Sequence, residues 1–157
     1  MLNSLFSLLI GYLGGSILAA YFIARLSGFD IRQKGSGNPG IANAAKVMGV
    51  KTAILIAFYD LFKAPLTMVI CAQLFRSQLI AYLAGLGALL GHLFPFYLKF
   101  KGGKGLSVCT GILGYALIKL ILLDNRFLLF VLPLLFLTAL HFFLQLKFKK
   151  LKLSQCL

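Results

Sequence analysis

The sequence predicts an all-α fold: a polytopic transmembrane helical bundle of about five membrane-spanning helices, joined in part by two glycine-rich basic loops. Three observations predict it. Mean hydropathy is +0.96, and only 12% of the 157 residues are charged, about half the share usual in soluble domains. Several apolar stretches are long enough to cross a hydrocarbon core of roughly 30 Å as helices. Sixteen Lys and Arg outnumber three Asp and Glu, and the cations gather in alternate connections.

The first span, 2–24, holds no formal charge. A secretory signal peptide would need a basic n-region and a short apolar centre, and neither is present. Further spans cover 53–72, 79–97, 106–123 and 127–146; the second carries Asp60 and Lys63, the fourth Lys119. Lipid offers no partner to free backbone N–H and C=O groups, so each span is expected to be helical. The chain 1–157 reads as a single integral membrane domain without internal repeats, ending in a basic tail, 147–157.

Arg25, Arg32, Lys34, Lys46 and Lys51 lie between the first two spans, and Lys99, Lys101 and Lys104 between the third and fourth. Lys147, Lys149, Lys150 and Lys152 form the tail. The positive-inside rule then places the N-terminus outside and both basic loops in the cytoplasm. Attraction to anionic headgroups accounts for the tail, but not for the glycines of the loops. Confinement of the charge to short loops beside spans argues against a nucleic-acid partner. Cys71, Cys109 and Cys156 are odd in number and lack metal-like spacing, so neither a disulfide framework nor a metal site is expected.

The first loop contains "QKGSGNPGIAN", 33–43. Gly35, Gly37 and Gly40 permit positive φ and close approach of a ligand to the backbone, and successive N–H groups there can converge on an anion. Asn38 and Asn43 add amides, Ser36 a hydroxyl and Lys46 a charge. "IANAAKVM" reads as a short helix whose start aims further donors at the same place. A flexible turn is the alternative, though flexibility needs neither the asparagines nor the flanking lysines.

The second loop, "GHLFPFYLKFKGGKGLSV", sets Gly102, Gly103 and Gly105 around Lys104 just before a helix. It is not a Walker loop, since Lys104 is followed by glycine rather than Ser or Thr. His92 reads either as a proton carrier or phosphate donor, or as a buried imidazole bonded to a neighbour. Asp60 and Lys63, one turn apart, form either a structural ion pair or part of a site.

The chain has no glutamate, which leaves little material for carboxylate pairs or oxygen cages for metals. No H-x4-D element occurs, which excludes an acyltransferase built on that His–Asp base. An enzyme with this inventory must position substrates and stabilise anionic charge.

"KGSGNPGIANAAKVMG", "GHLFPFYLKFKGGKGLSV" and the opening "GYLGGSILAAYFIARL" resemble the bacterial acyl-phosphate:glycerol-3-phosphate acyltransferase family, over about residues 10–110. The resemblance implies a multi-pass protein of the cell inner membrane, acting in phospholipid synthesis. It implies transfer of an acyl group from acyl-phosphate to glycerol 3-phosphate, giving lysophosphatidate, with no cofactor or metal. Ser36, Gly37, Asn38, Gly40 and Asn43 would then cradle a phosphate, with Lys46, Gly102 and Gly103 in the same set. Lys104 would neutralise a second phosphate, His92 would orient the reacting groups, and Ser16 would sit near the acyl chain's entrance. His141 and Lys147 fall where the family's third motif has His and Arg.

Departures accompany the likeness. After the glycines the family usually has alanine-threonine-asparagine, then arginine three positions on; here stand Ile41, Ala42, Asn43 and Lys46. A hydroxyl is lost and a guanidinium becomes a point charge. Leu144 replaces the third motif's asparagine, and no glutamate follows. The second expectation is therefore a non-catalytic, divergent paralogue that binds anionic lipid or phosphate at the membrane surface.

Overall fold

A computed structural model describes residues 1–123. The expected fifth span 127–146, His141, Lys147 and the tail lie outside the described residues. Helix elements run α1 (Leu2–Ser16), α2 (Ala19–Leu26), α3 (Ile41–Met48), α4 (Val50–Phe75), α5 (Gln78–Leu93) and α6 (Leu106–Leu123), with 3₁₀ turns at Ile31–Gln33 and Phe96–Leu98. Among the described residues no strand occurs, and four segments are long and apolar enough to cross a membrane: Leu2–Leu26, Val50–Phe75, Gln78–Leu98 and Leu106–Leu123. Met1–Tyr115 forms one compact unit, which contains everything described below; a second begins at Ala116.

The unit is organised on close helix contact. Lipid tails are as apolar as leucine, so helices associate where small residues let backbones meet. Gly11 and Gly15 of α1 lie against the backbone of Ala84 and Ala88 of α5; in return, Gly87 and Gly91 of α5 lie against Leu8 and Tyr12 of α1. A Cβ at any of the four would strike main-chain atoms. Ser7 Oγ donates to Ile80 O (2.6 Å) and Tyr12 Oη to Phe94 O (2.8 Å) across the same seam.

α4 carries Pro65 in its interior, which has no N–H to give the Leu61 carbonyl. Gly111 of α6 packs against that carbonyl, where a side chain would collide. A bare Cα thus covers a polar group that the proline leaves open.

The first span is not one continuous helix. Ile17 and Leu18 are extended (ψ 102° and 105°) and part α1 from α2. The expectation of helix throughout 2–24 is corrected here, and the physical requirement behind it is met by side chains instead. Tyr97 Oη donates to Ser16 O (2.6 Å) and accepts from Leu18 N (3.3 Å). Lys63 Nζ donates to Ile17 O (3.1 Å), and Ser16 Oγ to Leu13 O (2.8 Å). Broken helices are tolerated at membrane depth when the freed groups find such partners.

Candidate active site

The first polar loop is shaped by one side chain. Asn43, 2% exposed in the first turn of α3, accepts from Ser36 N (2.8 Å) and donates to Ile31 O (3.2 Å) and Lys34 O (3.0 Å). Gly35 has φ +60°, and a Cβ there would strike Asn43 Oδ1. Both amide hydrogens of Asn43 are engaged within the protein, so it offers its shape to the loop rather than donors to a ligand. Upstream, Asp30 caps the 3₁₀ turn by accepting from Arg32 N (3.0 Å), and its carboxylate pairs with the Arg32 guanidinium (2.7 Å). The hydrogen bonds from Arg32 hold the Asp30 carboxyl down at about 2, against the desolvation that raises it, and the same pairing raises Arg32.

The second loop is pinned to the end of α5. Gly103 N donates to His92 O (3.1 Å) and Gly102 N to Leu93 O (2.9 Å), giving partners to carbonyls that a helix end leaves open. A Cβ on Gly102 would strike His92 O, and one on Gly103 would strike the imidazole at Nε2. The glycines are therefore required for contact with α5; Gly105, at φ +75°, leads into α6.

Both loops line one cavity of about 730 Å³. Ser36, Asn38 and Gly40 come from the first loop, with Lys104 and Gly105 from the second, and His92 and Asp60 from α5 and α4. Ile41–Asn43 and Leu106–Ser107 also line it, so two helix N-termini with open N–H groups reach the same space. Besides Asp60, α4 contributes the apolar side chains Ile54, Ala57, Phe58 and Leu61. Asn38 Oδ1 is buried without a hydrogen-bond partner. A second cavity of about 490 Å³ shares Ser36 and Asn38 with the first and adds Asp30, Arg32, Gly37, Lys101 and Gly102.

Of the residues singled out in the sequence, the first cavity gathers Ser36, Asn38, Gly40, Asn43, His92 and Lys104, and the second adds Gly37 and Gly102. Gly103 is buried behind His92. Two others stand away from both cavities. Lys46 is exposed in the last turn of α3 and lines neither cavity, because a charge at a helix C-terminus lies away from donors at its start. Ser16 is buried where α1 breaks, against Gly91, and also lines neither.

Asp60 and Lys63 do pair, 3.0 Å apart and each almost fully buried. Sequence spacing left out their third partner: Lys63 Nζ lies 2.7 Å from His92 Nδ1. Asp60 Oδ1 comes within 3.8 Å of the same ring nitrogen, so an aspartate does approach His92, from another helix rather than from the missing H-x4-D spacing. Since Lys63 is the nearer partner, the arrangement is not a His–Asp base. Tyr97 and Arg32 were also not singled out as site residues; only the loops' basic content hinted at Arg32.

Fold and site together define a multi-pass membrane protein whose glycine-rich loops line one cavity with apolar side chains of α4. More narrowly, the chain belongs to the glycerol-3-phosphate acyltransferase family, whose profile matches residues 5–151. It is 40% identical over 112 residues to Glycerol-3-phosphate acyltransferase 1 of Deinococcus radiodurans, covering 71% of this chain and 57% of that protein. To the Aquifex aeolicus Glycerol-3-phosphate acyltransferase it is 36% identical over 112 residues, 71% of this chain and 58% of the relative. The chain thus spans little more than half the length of these curated relatives. The crystal structure of PlsY (YgiH), an integral membrane glycerol 3-phosphate acyltransferase, in its glycerol 3-phosphate form superposes with TM-score 0.65 at 32% identity, covering 81% of this chain and 66% of that one. The lysophosphatidic acid form gives TM-score 0.62 at 34% identity, over 71% and 56%.

Proposed function

We propose that this protein transfers an acyl group from acyl-phosphate to glycerol 3-phosphate, giving lysophosphatidate, as a multi-pass protein of a bacterial inner membrane with both loops on the cytoplasmic side. The observation that carries the reading is one cavity lined both by Asn38, His92, Lys104 and two helix N-termini and by apolar side chains of α4. A phosphorylated lipid with an acyl tail combines the same polar and apolar character. The smaller, polar cavity, also lined by Ser36 and Asn38, suits a second phosphate, with Arg32 and Lys101 beside it.

In the reaction, the 1-hydroxyl of glycerol 3-phosphate attacks the acyl carbonyl. An ester C–O bond forms, the acyl C–O bond to phosphate breaks, and the hydroxyl proton ends on the released phosphate. Lys104 offsets the charge of a phosphate, and His92 and the helix N-termini donate to oxygens that gain charge. The unpartnered Oδ1 of Asn38 is an acceptor suited to a substrate hydroxyl. No protein nucleophile is needed.

The test is purified protein in bilayer with acyl-phosphate and labelled glycerol 3-phosphate, and acyl-CoA as the control donor. Lysophosphatidate formed only from acyl-phosphate is the expected result. Lys104→Ala should lower turnover by ~10²-fold, as for loss of a charge partner in the transition state; an unchanged rate removes Lys104 from the site.

The second reading is a non-catalytic paralogue that binds anionic lipid or phosphate. It is favoured by Ala42, which lines the first cavity where the family pattern supplies a hydroxyl. Acyl-phosphate binding without turnover in the same assay would establish it.

A further inference from the structure

We propose that Lys63 is a positioning residue: its ammonium fixes His92 as the tautomer that carries its proton on Nε2, facing the 101–105 loop. The inference rests on the cavity being the substrate site and deepens that reading.

Two atoms lie in hydrogen-bond contact with Lys63 Nζ, His92 Nδ1 at 2.7 Å and Ile17 O at 3.1 Å, and Asp60 Oδ1 pairs with it by charge at 3.0 Å. An ammonium has three N–H donors and no lone pair. The Ile17 carbonyl can only accept from it, and a contact of 2.7 Å to the ring likewise requires a bare Nδ1. The ring proton must sit on Nε2. A ring protonated at both nitrogens would turn an N–H against the ammonium at 2.7 Å. Asp60 matches the buried positive charge, without which a lone ammonium could not be held at this depth.

The other edge of the ring points to the loop, since a Cβ on Gly103 would strike Nε2. His92 lines the first cavity and Lys63 lines neither, and both are almost fully buried. Lys63 can therefore reach a bound substrate only through His92. What it secures is direction: Nε2 presents a donor to an anionic oxygen. An imidazole free to exchange tautomers would for part of the time present a lone pair to that oxygen, and repel it.

The experiment reads the ¹⁵N shifts of histidine in the full chain in nanodiscs without substrate. The sequence has two histidines, and a His141→Gln sample assigns them. Wild type and Lys63→Arg, which keeps a donor, are expected to show His92 protonated on Nε2 alone. Lys63→Met, equally long and without a donor, is expected to show a mixture. Tyr97→Phe is the control for a merely structural role, because it removes another support of the α1–α2 break without touching His92. Its spectrum should match wild type while thermal unfolding comes earlier. In the acyltransfer assay Lys63→Met should lower kcat roughly tenfold or more, the factor associated with a hydrogen bond to a charged group, with KM for glycerol 3-phosphate little changed. A wild-type proton on Nδ1 overturns the proposal on its own, even if Lys63→Met does not fold. So does a Lys63→Met spectrum that matches wild type. Wild-type turnover in His92→Gln would instead remove His92 from the substrate site, and with it the functional half of the proposal, whatever the spectra show.

Discussion

At the residue scale, Asn43 and Asp30 hold the first loop by different physics. Asn43 makes three hydrogen bonds to backbone groups at Ile31, Lys34 and Ser36. Asn43→Ala leaves those groups short of partners, and one unsatisfied buried group costs about 1–3 kcal/mol. Limited proteolysis should then cut between Arg32 and Gly40 in the variant at protease levels that spare wild type. Asp30 makes the same loop sensitive to acid. Its folded pKa is lowered, to about 2 from the ordinary 3.8, so the stabilisation is complete above the unfolded value and disappears as pH falls through the folded one. Loop protection should weaken as pH falls from 4 toward 2, and Asp30→Asn should flatten that dependence; a steep profile in the variant would count against Asp30. The sequence showed Asn43 to be a polar residue in the right loop. It could not show whether the amide faced a ligand or its own backbone, since either use takes the same side chain at the same spacing.

At the scale of elements, the seam between α1 and α5 depends on the absence of side chains. Gly87→Leu would press a branched side chain against Leu8 O and Tyr12 N; overpacking typically costs about 1–3 kcal/mol. Detergent-solubilised Gly87→Leu should unfold at lower temperature than wild type, while Gly114→Leu, whose Cβ would meet nothing within 4 Å among the described residues, should differ little. Close contact by the third span is legible in its small residues Gly85, Gly87 and Ala88, which let helix backbones approach. The break at Ile17–Leu18 was not legible, because both residues are apolar and suit a helix. The partners that permit it, Lys63 and Tyr97, lie 46 and 79 or more residues away. The short helix Ile41–Met48 was readable because glycine and proline punctuate its start and Gly49 its end.

At the scale of the whole molecule, alternate clustering of cations and the convergence of both loops on shared cavities point the same way. With Cys71, Cys109 and Cys156 replaced, Ser36→Cys and Lys101→Cys should label with a membrane-impermeant thiol reagent from the same side, in inverted vesicles. Arg76→Cys should label only from the opposite side. Labelling of Ser36→Cys and Lys101→Cys from different sides would refute the shared site. The gathering of the two loops was foreseeable from their charge and glycine content. That α4 would furnish apolar side chains to the first cavity was not, because composition alone gives every span an equally greasy surface.

Ser36 and Asn38 line both cavities. Under the proposed reaction each cavity would hold one reactant, and both reactants would be bound together. Neither need depart before the other enters. Initial velocities measured against both reactants should therefore give intersecting double-reciprocal lines, the pattern of a ternary complex, rather than the parallel lines of a ping-pong enzyme that stores the acyl group on itself.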